Sequence, residues 1–233
     1  MAAVLCLGGL NLGACTNGDN DGGDGDGDGP SAAETVEIDM ALARTSGVHI
    51  VATGCGLSPQ IGGGGFIAPN VVITVAHLVA GSRSVDVTLS DDTTVAATVV
   101  AIDRDKDLAL LSVTAPQIDP VPTGTMLVGS VGAYSARRDD TQVVLESTAV
   151  SFVDIDMPSL DDASTSLRRG YQLAAEVKRG DSGSVVVSSG KITAVIFATS
   201  TQAGGRAWAT DVTEAAELLR QNASTAVDTG DCA

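Results

Sequence analysis

Late in this 233-residue chain stands Gly180-Asp181-Ser182-Gly183-Ser184, a serine flanked by glycines in a segment that reads as a tight turn. A serine hydroxyl is a weak nucleophile at neutral pH. Ser182 can attack a carbonyl only if the fold brings it a base, a carboxylate to orient that base, and donors for the oxyanion that forms. Imidazole is the base suited to neutral pH, and the chain has only His49 and His77. His49 sits in "SGVHIVA" at an alternating position of an apolar run and reads as a structural strand residue. His77 ends "GGGGFIAPNVVITVAH", where a glycine run, a strand, a Pro69-Asn70 turn and a β-branched strand lead up to it, and it is the candidate base.

The orienting carboxylate is sought in "AIDRDKDLALLSV", which offers Asp103, Asp105 and Asp107. Asp103 and Asp105 alternate with Arg104 and Lys106 and read as a solvated turn. Asp107 abuts "LALL", a run apolar enough to be buried on both faces. A charge at the mouth of such a strand costs several kcal/mol, on the order of 2 to 7, unless it is paired, so Asp107 is the candidate partner for His77.

Such residues need a rigid frame. From Gly47 onward the chain alternates short Val-, Ile-, Thr- and Ala-rich runs with Gly, Asp, Ser and Pro clusters, an all-β rhythm. About six strand candidates precede the proline-containing segment "APQIDPVPTG", and about six follow it. "DVTEAAELLRQNAS" is the good helical stretch, with Asp211 or Thr213 as cap and Ala216, Leu218 and Leu219 along one face. The expected fold is all-β: two packed six-stranded barrels, at about 47–115 and 125–212, with a C-terminal helix at about 212–222.

Charge and cysteines narrow the setting. The net charge of −16, with no cluster among the 13 basic residues, argues against nucleic acid as a partner. Eight of the acids lie before Met40, where there is no base. Residues 1–15, "MAAVLCLGGLNLGAC", form a short apolar run whose Leu12-Gly13-Ala14-Cys15 ending resembles a bacterial lipobox, which makes Cys15 the expected lipidation site. Residues 16–40 read as an acidic, solvated tether, with the folded domain at 41–233. The "DGDGDG" within the tether is not read as a calcium loop, because Thr35 stands where a bidentate Glu is required, and no metal site is expected. In an exported protein, Cys55 and Cys232 are expected to form a disulfide.

In order and wording, "TVAH" at His77, "DLALL" at Asp107 and "GDSGS" at Ser182 resemble the chymotrypsin-like (trypsin-fold) serine proteases, and most closely their exported bacterial members. The resemblance spans roughly Gly47 to Asn222. It implies a double β-barrel with the site in the cleft between barrels, and His77, Asp107 and Ser182 as the catalytic triad. It also implies an oxyanion hole from the backbone N–H groups of Gly180 and Ser182. "KITAVIFATS" is similar to the family's substrate-pairing strand, so Phe197, Ala198 and Thr199 are expected to bond an extended peptide. Glu176 aligns with the base of the specificity pocket, where it would favour Arg or Lys, and Arg206 aligns near the opposite wall.

Two departures stand out. Ser184 and Val185 replace the family's usual Gly-Pro. There is also no "IVGG"-like activation terminus to supply an amine for Asp181, so Arg137 or Arg138 is expected to neutralise it. The expected function is an exported, monomeric serine endopeptidase, lipid-anchored or secreted, which needs no cofactor and acts on peptide or protein substrates. The alternative is a catalytically weak module of the same fold that binds peptides or partners at the cell surface.

Overall fold

Both sets of apolar runs fold as strands in the computed structural model, which describes residues 29–230 apart from 55, 57, 115–117, 161–164, 200–203 and 222–224. The expected leader with Cys15, most of the expected tether, Cys55 and Cys232 lie outside the described residues.

The first closed barrel comprises β1 (Gly47–Thr53), β2 (Gln60–Ala68), β3 (Val71–Thr74), β4 (Ser84–Thr88), β5 (Thr94–Asp103) and β6 (Leu108–Val113), in the order β1-β2-β3-β6-β5-β4. The second comprises β7 (Val131–Arg138), β8 (Thr141–Pro158), β9 (Thr165–Ala175), β10 (Val185–Ser188), β11 (Lys191–Thr199) and β12 (Arg206–Asp211). Its order, β7-β8-β9-β12-β11-β10, repeats that of the first. Closure removes the free edges that short strands would otherwise expose. Ile50, Phe66, Val72, Ile73, Leu108 and Leu110 fill the first barrel, whereas Tyr134, Tyr171, Leu173 and Ile196 with several alanines fill the second.

The barrels meet along the glycine run. At Gly63 an added Cβ would overlap Ser184, and at Gly65 it would overlap the Val185 side chain. The bare backbone at Gly62, Gly63 and Gly65 therefore lets β2 lie directly on the segment Ser182–Val185. The bond from Gly63 N–H to the Ser182 carbonyl, 2.8 Å, fastens the two.

Helix α1 (Ala32–Ser46) overlaps the segment expected to be tether. A capping box starts it, with Ser31 Oγ accepting from Glu34 N–H and the Glu34 carboxylate accepting from Ser31 N–H. Its fully buried Asp39 accepts from Ser189 N–H at 2.9 Å and Gly190 N–H at 2.7 Å, so the helix clasps the β10–β11 turn. Residues 32–40, expected to be part of a solvated tether, are instead helical and bonded to the second barrel.

A short helix α2 (Ala76–Val79) follows β3, and a 3₁₀ turn (Val212–Ala215) leads into α3 (Ala216–Arg220). Asp211 caps that turn by accepting from Thr213 N–H at 2.8 Å. The buried face is Val212, Ala215 and Leu218, while Ala216 and Leu219 are exposed. The three-residue spacing of a 3₁₀ turn rotates the stripe away from the one expected for a continuous α-helix.

Asp39→Ala leaves two turn donors without an acceptor and is expected to lower stability by about 2 to 3 kcal/mol. Glu37→Ala, on the exposed face of the same helix, should leave the denaturation midpoint unchanged. Equal midpoints for the two variants would contradict this clasp.

Candidate active site

His77 lies in α2, immediately beyond β3, and Asp107 ends the turn that leads into β6. β3 and β6 are paired neighbours, with Thr74 opposite Ala109, so the two residues emerge side by side. Asp107 has φ +54°, a left-handed backbone uncommon for a residue with a side chain, and it turns the carboxylate towards His77. One oxygen accepts from the His77 backbone N–H at 2.8 Å, and the other lies 2.8 Å from His77 Nδ1. This two-point bond fixes the ring's position and makes Nδ1 the protonated nitrogen, leaving Nε2 to accept a proton. The Asp107 side chain is 5 % exposed and that of His77 37 %, so a buried anion supports a ring that reaches the surface.

Ser182 stands in the loop between β9 and β10. Gly62 packs between the Ser182 carbonyl and the side chain of Leu78, next to His77, and a Cβ at Gly62 would come within 2.5 Å of both. The serine loop and α2 thus meet over one glycine. The Ser182 hydroxyl donates to the Phe197 carbonyl at 3.3 Å rather than to the His77 ring.

Loop shape comes from Asp181, which is fully buried. Arg138 Nη1 and Nη2 donate to its two oxygens at 2.5 and 2.6 Å, and Lys178 N–H donates at 2.8 Å. Of the two arginines considered, Arg138 is therefore the partner, and its bond to Asp181 pushes its guanidinium further above the usual range. Arg137 points instead to Asp92, at 3.3 Å. Gly180 and Gly183 have φ of +97° and +92°. A Cβ at Gly183 would overlap the Gly63 carbonyl and the Thr74 hydroxyl, so only glycine fits. Among the described hydrogen bonds, the N–H groups of Gly180 and Ser182 donate to no protein acceptor.

Ser184 and Val185, which stand in place of the Gly-Pro, serve the seam. Ser184 Oγ donates to the Ser135 carbonyl at 2.8 Å, and Val185 packs on Gly65.

β11 carries a bulge between Ile196 and Ala198, and β10 pairs only with its first part, up to Val195. Ala198 and Thr199 pair with β12 on one side, Phe197 is the bulged residue before them, and the three lie beyond the reach of β10 on the other side. Phe197 is buried, Ala198 half-buried and Thr199 exposed. Glu176 and Thr199 line a common cavity with Lys178 and Arg206. The Glu176 carboxylate, 72 % exposed, is held by Lys178 Nζ at 2.8 Å, which keeps it below the usual carboxylate range.

His49 lies on β1 opposite Gly63 and Thr88. Burial, and then the nearby Arg137 guanidinium, hold its imidazole below the ordinary range. Asp103 accepts from Lys106 N–H at 2.8 Å and shapes the turn ahead of Asp107. A residue the motifs did not single out, Arg168, is buried against Asp107.

Residues 52–195, a span containing His77, Asp107 and Ser182, match the model of the trypsin-like peptidase domain. A serine protease of Mycobacterium tuberculosis, Rv3671c, is 31% identical over 189 residues, covering 73% of this chain and 44% of that protein. The chloroplastic Protease Do-like 1 of Arabidopsis thaliana is 40% identical over 78 residues, 30% of this chain and 18% of that one. The chain thus spans less than half the length of these curated relatives. The crystal structure of the active form of the Rv3671c protease superposes with a TM-score of 0.75 at 26% identity, over 84% of this chain and 90% of that one. The serine endoprotease of Yersinia pestis, at 16% identity and a TM-score of 0.66 over 83% of this chain and 67% of that one, shares the fold. The chain belongs to the trypsin-like peptidase domain family.

Proposed function

We propose that this chain is an exported serine endopeptidase that hydrolyses peptide bonds through an acyl-enzyme. The observation that carries the reading is the two-point bond from Asp107 to His77, beside a glycine-shaped loop bearing Ser182. In this mechanism the Ser182 hydroxyl turns about χ1 from the Phe197 carbonyl to His77 Nε2, which takes its proton as the oxygen attacks the scissile carbonyl. Asp107 stabilises the imidazolium that forms. The N–H groups of Gly180 and Ser182 receive the oxyanion, where each such donor contributes about 3 to 4 kcal/mol to the transition state. The imidazolium then protonates the leaving amine, and water completes the second half by the same route.

Substrate adds as an extended strand to the open edge at Phe197, Ala198 and Thr199. Its side chain at the cleaved position enters the cavity shared by Glu176, Lys178 and Arg206. The enzyme acts as a monomer and needs no cofactor.

Outside the described residues, Cys15 is proposed as the lipid anchor and Cys55–Cys232 as a disulfide. Labelled fatty acid should mark wild-type protein expressed in a bacterial host and not Cys15→Ser, and peptide mapping without reductant should find Cys55 joined to Cys232. Unlabelled wild type would remove the anchor, and alkylation of both thiols in oxidised protein would remove the bridge.

A second reading, a peptide-binding module of low activity, has one observation on its side: the Ser182 hydroxyl is bonded to Phe197 rather than to His77. Turnover of peptide or ester substrates separates the two. Ser182→Ala and His77→Ala should fall to background, a loss of about 10⁶-fold in kcat. Asp107→Asn should lose about 10⁴-fold by favouring the wrong tautomer, with Asp103→Asn near wild type. Arg138→Met strands a buried anion and should lower stability by about 3 to 5 kcal/mol as well as activity. Unchanged turnover in folded Ser182→Ala or His77→Ala would remove the mechanism.

A further inference from the structure

β8 and β9 are longer than their neighbours require. β8 leaves β7 after Thr148, and β9 leaves β12 before Gly170, so Asp154–Pro158 and Thr165–Arg169 pair only with each other. This two-stranded arm of the second barrel reaches the turn before Asp107 in the first. Lys106 Nζ donates to the Leu167 carbonyl at 2.6 Å, and Leu160 N–H to the Arg104 carbonyl at 3.4 Å.

On the arm the ordinary burial pattern is reversed: Leu167 is 52% exposed and the neighbouring Arg168 only 2%. A guanidinium is buried in place of a leucine only where it is paired, because an uncompensated charge costs far more than leucine burial returns. Arg168 Nε donates to the Asp105 carbonyl at 2.8 Å. Its Nη2 lies 3.4 Å from the Pro158 carbonyl and its Nη1 3.4 Å from Asp107 Oδ2, the same oxygen that faces His77 Nδ1. The guanidinium also lies 5.6 Å from the centre of the Phe197 ring, whose backbone carbonyl holds the Ser182 hydroxyl.

We propose that Arg168 is a positioning residue of the active site, supplied by the second barrel, that keeps the Asp107 carboxylate aimed at His77. Asp107 is attached to the first barrel, and Ser182 to the second. Arg168 ties the carboxylate to the barrel that carries the nucleophile, so that a shift of one barrel against the other is resisted at the His77–Asp107 bond itself. Its flat, forked head suits the task because one donor holds the Asp105 backbone while another reaches the carboxylate, which a lysine ammonium cannot do with the same geometry.

The inference rests on the triad proposed above, and the test separates the two. Wild-type turnover that Ser182→Ala abolishes establishes the site; its absence defeats that reading before Arg168 is considered. Given an active wild type, Arg168→Met keeps an apolar stem under Phe197 and removes the charge. It is expected to lower kcat by roughly 10- to 100-fold, as small misplacements of reacting groups do, with KM little changed. Arg168→Lys, which keeps the charge, should fall between wild type and Arg168→Met. The downfield proton NMR signal of the His77–Asp107 hydrogen bond should move in both, more in Arg168→Met. Arg168→Met as active as wild type, or more active than Arg168→Lys with the signal unmoved, would overturn the proposal and leave Arg168 a packing residue. If Arg168→Met does not fold, Arg168→Lys alone decides: lowered kcat with a displaced signal supports the role, and wild-type values for both contradict it.

Discussion

A carboxylate taken almost wholly out of water at the seam between two barrels is the constraint on which the site depends. Asp107, with a side chain 5 % exposed, is stable there because donors surround it: the His77 backbone, the His77 ring and Arg168. These donors come from two residues far apart in the chain, one from each barrel, so bringing the barrels together and satisfying the anion are one event. β3 and β6 bring His77 to it, and the β8–β9 arm brings Arg168.

Asp181 repeats the arrangement on the other side of the cleft. It is buried without access to water, and Arg138 and the Lys178 N–H hold it, which bends the loop that presents Ser182. Between the two anions runs the glycine stretch of β2, where the missing side chains allow the first barrel to touch the serine loop directly. Two buried acids, each with an arginine from the second barrel, and a strip of bare backbone account for how distant parts of the chain converge.

Much of this was legible in the residues. The strands follow apolar runs bounded by turn residues, and barrel closure follows from their number and spacing. His77 and Asp107 stood out because histidine is scarce and because an acid beside "LALL" must be paired. What escaped inverts the usual rule of apolar inside and charged outside. On α1, Asp39 is buried and Ile38 46% exposed; on β9, Arg168 is buried and Leu167 exposed. Patterning assigns the wrong face in such cases, because the stabilising partners, the Ser189–Gly190 turn and the Asp107 carboxylate, are distant in sequence. The capping box at Ser31 and Glu34 was a local signal for α1, masked by the acidity of the preceding tract. The choice between Arg137 and Arg138 turned on strand orientation, which composition does not carry.

The central claim is that Ser182 is a nucleophile activated by His77, and reaction with a fluorophosphonate tests it most directly. Mass mapping should find one adduct, on Ser182, in wild-type protein and none in folded His77→Ala. Folded wild type that takes up no label at Ser182, or His77→Ala that labels at the wild-type rate, would contradict the account.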